Sequence, residues 1–146
     1  MTSTVAKPTA GLPARVAVRA AVSVLLAVSG VIHAYLYIDG GYRVVPTVGP
    51  GFLWQASIFC TLAVLILLGA PEWFSWAGAA LSAGALIAFA LSRTVGLFGF
   101  TEHGWNPSPY AALSVLAEAL TVVLVAAVVL WRRRSAGAPP ERTTPG

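Results

Sequence analysis

Two ionisable residues, His33 and Glu118, lie inside long apolar stretches of this 146-residue chain. Ionisable side chains in such stretches are costly to bury and often mark ion, proton or ligand sites. Counted at about 1.5 Å per helical residue, His33 lies about 8 Å and Glu118 about 12 Å below the same end of their apolar segments. We therefore expect the two side chains to meet if their segments are neighbours.

Three interpretations of this pair are open. In the first, His33 and Glu118 form a hydrogen-bonded pair that fixes helix packing. In the second, they bind a metal or a cofactor such as haem, and Glu102 and His103 supply further ligands from the preceding loop. In the third, they relay protons or bind a quinone-like substrate. The chain has no CxxC, CxxCH or HExxH motif that would favour the second interpretation.

Two further charged residues lie at the ends of apolar segments. Arg93 closes the third segment. In one interpretation Arg93 is an anchor whose charge reaches the membrane interface. In the other it binds an anionic group or is the counter-charge of Glu118. Asp39 ends the first segment and can pair with Arg43 or Arg93. The loop Gly96–Trp105 mixes glycine, aromatic and ionisable residues, so it is either a lid over the polar site or an interfacial turn.

The elements that position these residues follow from composition. The chain is 58% hydrophobic and 10% charged, whereas a soluble domain is roughly half apolar and a quarter charged. This excludes most soluble enzymes, disordered proteins and nucleic-acid-binding proteins. Four segments, at about 16–38, 52–69, 73–91 and 110–131, are each close to the roughly 20 residues that span a bilayer as a helix. We predict an all-α transmembrane four-helix bundle with up-down-up-down topology.

The predicted membrane domain covers residues 15–134, with disordered tails at 1–14 and 135–146. Lys and Arg cluster near the two termini, and the longer loops contain only Arg43 and Arg93. The positive-inside rule then places both termini in the cytoplasm of a multi-pass cell-membrane protein. Cleavage of the first segment as a signal peptide is disfavoured because its apolar run continues to Ile38. The terminal cations are Lys7, Arg15, Arg19, Arg132, Arg133, Arg134 and Arg142.

The third segment is rich in small residues. Gly78 and Ser82 are four residues apart, as are Ala80 and Gly84. Small residues at this spacing let helices approach closely. The pattern predicts tight packing of this helix, either within the chain or against another copy or another membrane protein.

The chain resembles uncharacterised small four-span integral membrane proteins of actinobacteria. The resemblance rests on Gly30-Val-Ile-His33, on Ser92-Arg-Thr-Val-Gly-Leu97 and on Glu118 in the last segment. In those proteins the loop often reads Ser-Arg-Thr, two residues, then Leu-Pro-Gly, and here Phe98 stands in place of the proline. The resemblance implies a membrane location and no established activity.

Small size, short loops and the lack of a catalytic constellation favour a non-enzymatic accessory or assembly subunit. One alternative is a metal- or haem-binding, redox-linked protein that uses His33, Glu118 and His103. Another is a small proton-coupled transporter that relies on Glu118. The expected partners are the lipid bilayer and other membrane proteins or a second copy, not nucleic acid. The sequence leaves the identity of any cofactor open.

Overall fold

A computed structural model describes residues 11–136 of the chain. It contains four long α-helices, α1 (Gly11–Ile38), α2 (Val48–Leu67), α3 (Trp73–Arg93) and α4 (Tyr110–Ala136), and one 3₁₀ turn at Tyr42–Val44. All four helices are long and apolar enough to cross a membrane, and strands are absent from the described part of the chain. The predicted all-helical, four-span bundle is therefore confirmed.

The helices run up and down in sequence order. At one end, which we call the turn end, Arg19 of α1 donates a hydrogen bond to the Ala70 carbonyl after α2. At the same end Arg132 of α4 forms an ion pair with Glu72 before α3. The opposite end, called the loop end, contains the two longer connections. There Tyr35 near the end of α1 contacts Tyr110 at the start of α4, with ring centroids 4.7 Å apart.

Each helix packs mainly against two neighbours, with a smaller contact between α1 and α3, and the four main seams differ. Helix α1 packs against α2 most extensively and against α4 next, and α4 packs against α3 to a similar extent. Helices α2 and α3 contact each other over far fewer residues. The neighbourhood of α1 and α4, on which the meeting of His33 and Glu118 depends, is thus present in the fold.

Helix limits differ from the prediction at five places, of which the end of α2 at Leu67 rather than 69 and the end of α3 at Arg93 rather than 91 are shifts of two residues. Helix α2 begins at Val48 rather than at residue 52, because Pro50 falls in the first turn, where a missing N–H is tolerated. Helix α1 begins at Gly11, inside the tail predicted for residues 1–14, and Pro13 again lies in the first turn. Helix α4 runs to Ala136. The rest of both predicted tails lies outside the described residues.

The turn half of the bundle has an apolar core. Its fully buried members include Leu26 of α1 and Phe59 of α2. A Cβ added to Gly78 would lie 2.9 Å from the Leu26 side chain, so this glycine allows α3 to approach α1. Ser82 is also buried, whereas Gly84 is exposed and has open space beside it. The core cluster comprises Val22, Leu26, Phe59, Leu62, Ala63, Ile66 and Val125.

The α3–α4 connection folds over the loop end. A tight turn brings Leu97 and Phe100 together through two backbone hydrogen bonds of 2.8 and 2.9 Å. Its central residues, Phe98 and Gly99, have φ values of 53° and 80°, which is the pattern of a type I′ turn. Proline, with φ near −65°, cannot adopt the conformation of Phe98. The Leu-Pro-Gly form of this loop would therefore need a different turn.

Candidate functional site

Glu118 is the centre of a polar cluster between α1, α2 and α4. The side chain is 2% exposed, and its Oε1 atom accepts three hydrogen bonds. Ser29 Oγ and Gln55 Nε2 donate at 2.8 Å each, and Ser114 Oγ donates at 3.1 Å. Burying a carboxyl group is costly unless donors satisfy it, so three helices are fixed around one oxygen atom. The second oxygen, Oε2, has no donor among residues 11–136.

His33 lies beside this cluster but does not bond to Glu118 directly. Its Nδ1 atom is 2.9 Å from the Ser29 carbonyl oxygen and 3.5 Å from Ser29 Oγ. Ser29 therefore links the histidine to the carboxyl group, because its hydroxyl also donates to Glu118. The predicted pair is a bridged triad rather than a direct contact. The edge of the imidazole packs against Phe52, with centroids 4.9 Å apart.

The hydrogen bond to Ser29 determines which imidazole nitrogen is free. A carbonyl oxygen only accepts, so Nδ1 carries the hydrogen in the neutral ring and Nε2 is left as an acceptor. His33 is 8% exposed, and no described residue bonds to its Nε2 atom. An acceptor that no protein group satisfies, on a side chain at the edge of a cavity, is a position for water or a ligand.

A cavity of about 100 Å³ adjoins the cluster and reaches toward the loop end. His33, Gln55, Ser114 and Glu118 line its deep part. Its apolar walls come from all four helices and from the α3–α4 loop, and include Leu36, Val48, Phe52, Ala85, Ala88, Phe89, Leu97, Phe100, Ala111 and Val115.

A second polar group closes the cavity at the loop end. The Tyr42 hydroxyl donates to Glu102 Oε1 at 2.6 Å. Burial, and then the adjacent Glu102 carboxylate, raise the pKa of the Tyr42 hydroxyl far above its ordinary value. The hydroxyl therefore keeps its proton and continues to donate. Because Leu97, Phe100 and Glu102 of the α3–α4 loop line the cavity, this loop covers the polar site, as one of the two sequence interpretations expects.

Arg93 is the cation of the polar group at the loop end. Its guanidinium lies 4.6 Å from the centroid of the Phe89 ring, and Nη2 donates to the Asn106 carbonyl. Nη1 lies 3.1 Å from Glu102 Oε2, but the N–H is not directed at the carboxylate. Nε and Nη1 are consequently buried without a hydrogen-bond acceptor among residues 11–136. Arg93 pairs with Glu102, and not with Glu118 or Asp39 as the sequence also allowed.

The other candidate residues are not at the cavity. His103 is exposed in the α3–α4 loop and Asp39 is exposed after α1, and neither lines the cavity. Within the described residues, no three of His, Cys, Asp and Glu are grouped closely enough to hold a metal ion. Of the predicted metal ligands, His33, Glu118 and Glu102 line one cavity, with Glu102 at its loop end, whereas His103 does not line it.

Sequence reasoning missed the three donors to Glu118. Ser29 precedes His33 by four residues, and Ser114 precedes Glu118 by four. This is the spacing at which helical side chains are neighbours, so the pattern was available. Gln55 is the only glutamine of the chain and lies in an otherwise apolar span, which is a second usable signal. Comparison of this chain with family models, curated proteins and solved structures finds no match.

Proposed function

We propose that this integral membrane protein binds a small hydrogen-bonding ligand between its helices, without transforming it, as an accessory component of a cell membrane. The observation that carries the proposal is the pair of unused atoms at the deep end of the cavity. Glu118 Oε2 and His33 Nε2 belong to side chains that line the cavity, and no described residue bonds to either atom.

The three donors to Glu118 support binding rather than packing alone. They all converge on Oε1, so they hold the carboxyl group in one orientation and leave its second oxygen available. Fixing a binding group through surrounding hydrogen bonds is how proteins prepare a site before the ligand arrives. A pair that only joined helices would not need an adjoining cavity of about 100 Å³.

The geometry of His33 supports binding rather than catalysis. A histidine that activates a serine needs a ring nitrogen free to take the hydroxyl proton. Here Nδ1 is engaged with the Ser29 carbonyl and Nε2 is free, but neither serine of the cluster donates to Nε2, because the Ser29 and Ser114 hydroxyls both donate to Glu118. The serine hydroxyls of the cluster are thus committed to the carboxyl group.

The test is to identify what the full chain retains on purification. We would reconstitute the protein in nanodiscs made from the membranes of an actinobacterial host, the source that the resemblance suggests. Small molecules would be measured by mass spectrometry and metals by elemental analysis. We expect one metal-free species near one per chain, reduced at least tenfold by Glu118→Gln. Glu72→Gln is the matched control, because Glu72 lies at the turn end and pairs with Arg132.

Two outcomes would contradict the proposal. Equal retention of the co-purified small molecule by the wild type and by Glu118→Gln would mean that Glu118 is only a packing residue. A stoichiometric metal that is lost in His33→Ala would instead support the metal- or haem-binding alternative.

We also propose that both termini lie in the cytoplasm. The turn end carries Arg15, Arg19 and Arg132 to Arg134, whereas the loop end carries Arg43 and Arg93, and the positive-inside rule favours this orientation. A Cys60→Ala background with either Val95→Cys or Ser135→Cys tests it, since both positions are exposed. A membrane-impermeant maleimide should label position 95 in intact cells and position 135 only after permeabilisation. The reverse labelling pattern would place both termini outside the cell.

A further inference from the structure

A groove of about 360 Å³ runs along the seam between α2 and α3. Three residues, Gln55, Ala85 and Ala88, line both this groove and the cavity next to Glu118. We infer that the seam is a lateral entrance from the bilayer, and that the ligand is a lipid-soluble hydroquinone whose tail lies in the groove. The inference rests on the proposed function, because it names the class of ligand that the same site takes.

The first argument is that the cavity has two different polar ends. At the deep end, His33 Nε2 is an acceptor and the Glu118 carboxyl group lies beside it in the same wall. At the loop end, Arg93 offers Nε, a buried donor without a hydrogen-bond acceptor among the described residues, while its Nη1 is paired with Glu102 at 3.1 Å. A matching head therefore donates at one end and accepts at the other. Hydroxyl groups at opposite ends of one ring do both.

The second argument concerns the shape and size of the cavity. Three phenyl rings, those of Phe52, Phe89 and Phe100, form much of its wall, and aromatic side chains suit a flat ring because they stack or meet it edge to face. A volume of about 100 Å³ is smaller than the roughly 150 Å³ of an apolar cavity that accepts benzene. The cavity alone therefore does not hold a whole ring, so a head of one ring must lie partly in the adjoining groove, with which the cavity shares three lining residues.

The third argument is the direction of the groove. From the cavity it continues past Gly84 and Ala80 of α3 and Phe59 of α2, away from the loop end. Ala88 and Ala80 are eight residues apart, which corresponds to about 12 Å along a helix. A molecule with its head at Glu118 thus has its tail directed toward the middle of the bilayer. The remaining lining is apolar apart from Gln55: Trp54, Ile58, Leu81, Ala85 and Ala88.

Gly84 provides a way to block the groove without disturbing the fold. A Cβ at this position meets nothing within 4 Å, and replacing a glycine inside a helix favours the helix. Gly84→Leu should therefore fill the groove and leave the bundle intact. Gly51→Leu is the matched control, because Gly51 is also a helical glycine with open space around its Cβ and lies outside the groove.

The experiment measures binding to the full chain in nanodiscs, corrected for partition into empty nanodiscs, under argon to keep the probes reduced. The probes are decylhydroquinone, tailless methylhydroquinone and 4-decylphenol, which has one hydroxyl group. We expect saturable binding of decylhydroquinone at one per chain, with both other probes at least tenfold weaker. Gly84→Leu should weaken the binding of decylhydroquinone at least tenfold and leave the binding of methylhydroquinone unchanged. The control Gly51→Leu should bind decylhydroquinone as the wild type does. Glu118→Gln should weaken both hydroquinones.

The results that overturn the inference differ from those that overturn the proposed function. Equal binding of decylhydroquinone to Gly84→Leu and Gly51→Leu rejects the lateral groove. Equal affinity for 4-decylphenol and decylhydroquinone rejects the two-ended head. If decylhydroquinone does not saturate while Glu118→Gln still loses a co-purified ligand, the hydroquinone class is wrong and the binding function stands. If Glu118→Gln changes neither the co-purified ligand nor any probe, the binding function itself is wrong.

Discussion

The two halves of the bundle are built on different principles. The turn half is filled by apolar side chains such as Leu26, Phe59 and Ile66, and a connection of a few residues joins α2 to α3. The loop half contains the Glu118 cluster, a cavity and two long connections. The part of the bundle that is rigid and the part that can bind a ligand are thus separated along the membrane normal. The turn half holds the helices at fixed positions. In the loop half, the helices held in this way place polar groups around the cavity.

The largest effect on stability should come from truncating a core side chain in the turn half. Leu26→Ala removes a side chain that is 0% exposed and contacts Gly78, and such core truncations cost about 2–5 kcal/mol. Leu116→Ala, which removes an exposed side chain from the loop half of α4, should cost far less. Thermal unfolding in detergent compares the two. Equal melting temperatures would show that the turn half is not the more rigid half.

A somewhat smaller loss should follow when the polar cluster is emptied. Glu118→Ala leaves the donors of Ser29, Gln55 and Ser114 without their acceptor, but water in the adjoining cavity replaces most of the lost bonds, so we expect a total cost of about 1–3 kcal/mol. Glu118→Gln keeps an acceptor oxygen, so it should unfold closer to the wild type. The same unfolding assay measures both variants. If Gln is as damaging as Ala, the hydrogen bonds to Oε1 do not stabilise the loop half.

A local effect should follow from loosening the cover of the cavity. Tyr42→Phe removes the hydrogen bond to Glu102 but keeps the ring that stacks on Phe52 at 4.7 Å. A hydrogen bond to a charged group contributes about 1.5–3 kcal/mol, here mostly to the order of the loop. Amide exchange should therefore accelerate in residues 97–106 and stay unchanged at Leu26. Tyr37→Phe is the control, and acceleration there would mean that the loop is not held by Tyr42.

The smallest effect should be a pH dependence at the turn end. The ion pair with Arg132 holds the pKa of Glu72 below its ordinary value of 4.5. A lowered folded-state pKa contributes stability above pH 4.5 that is lost as the pH falls through the folded value. Since the pair is partly exposed, the step should stay below about 1 kcal/mol. Unfolding between pH 3 and 6 should show it in the wild type but not in Glu72→Gln. A step that persists in this variant belongs to another carboxylate.

The sequence was sufficient for the coarse fold because apolar segment length fixes the number of spans, and short connections make successive helices antiparallel. It was less reliable at the start of α2, where Pro50 and its flanking glycines suggest a loop but lie in the first helical turn. It also gave the depth of His33 and Glu118 along the membrane normal, and the structure has both side chains at one cavity.

The contacts within the site were harder to predict for a physical reason. A helix that is apolar on most of its circumference has no clear buried face, so the sequence does not fix its rotation. The rotation decides that Ser29 lies between His33 and Glu118, and that Gln55 reaches the same oxygen. The partner of Arg93 depends on the path of the α3–α4 loop, because Glu102 lies within it.

The unequal seams have a consequence for how the protein is made. Helices α1 and α2 share the most extensive contact, and a Cβ added to Gly30 would lie 2.8 Å from Cys60 Sγ. This first hairpin can therefore assemble while the ribosome is still synthesising the second. Until α4 emerges, Ser29 and Gln55 lie in the newly inserted hairpin without the carboxyl group to which they later donate. When α4 inserts, Glu118 supplies that acceptor and joins α4 to both helices of the first hairpin.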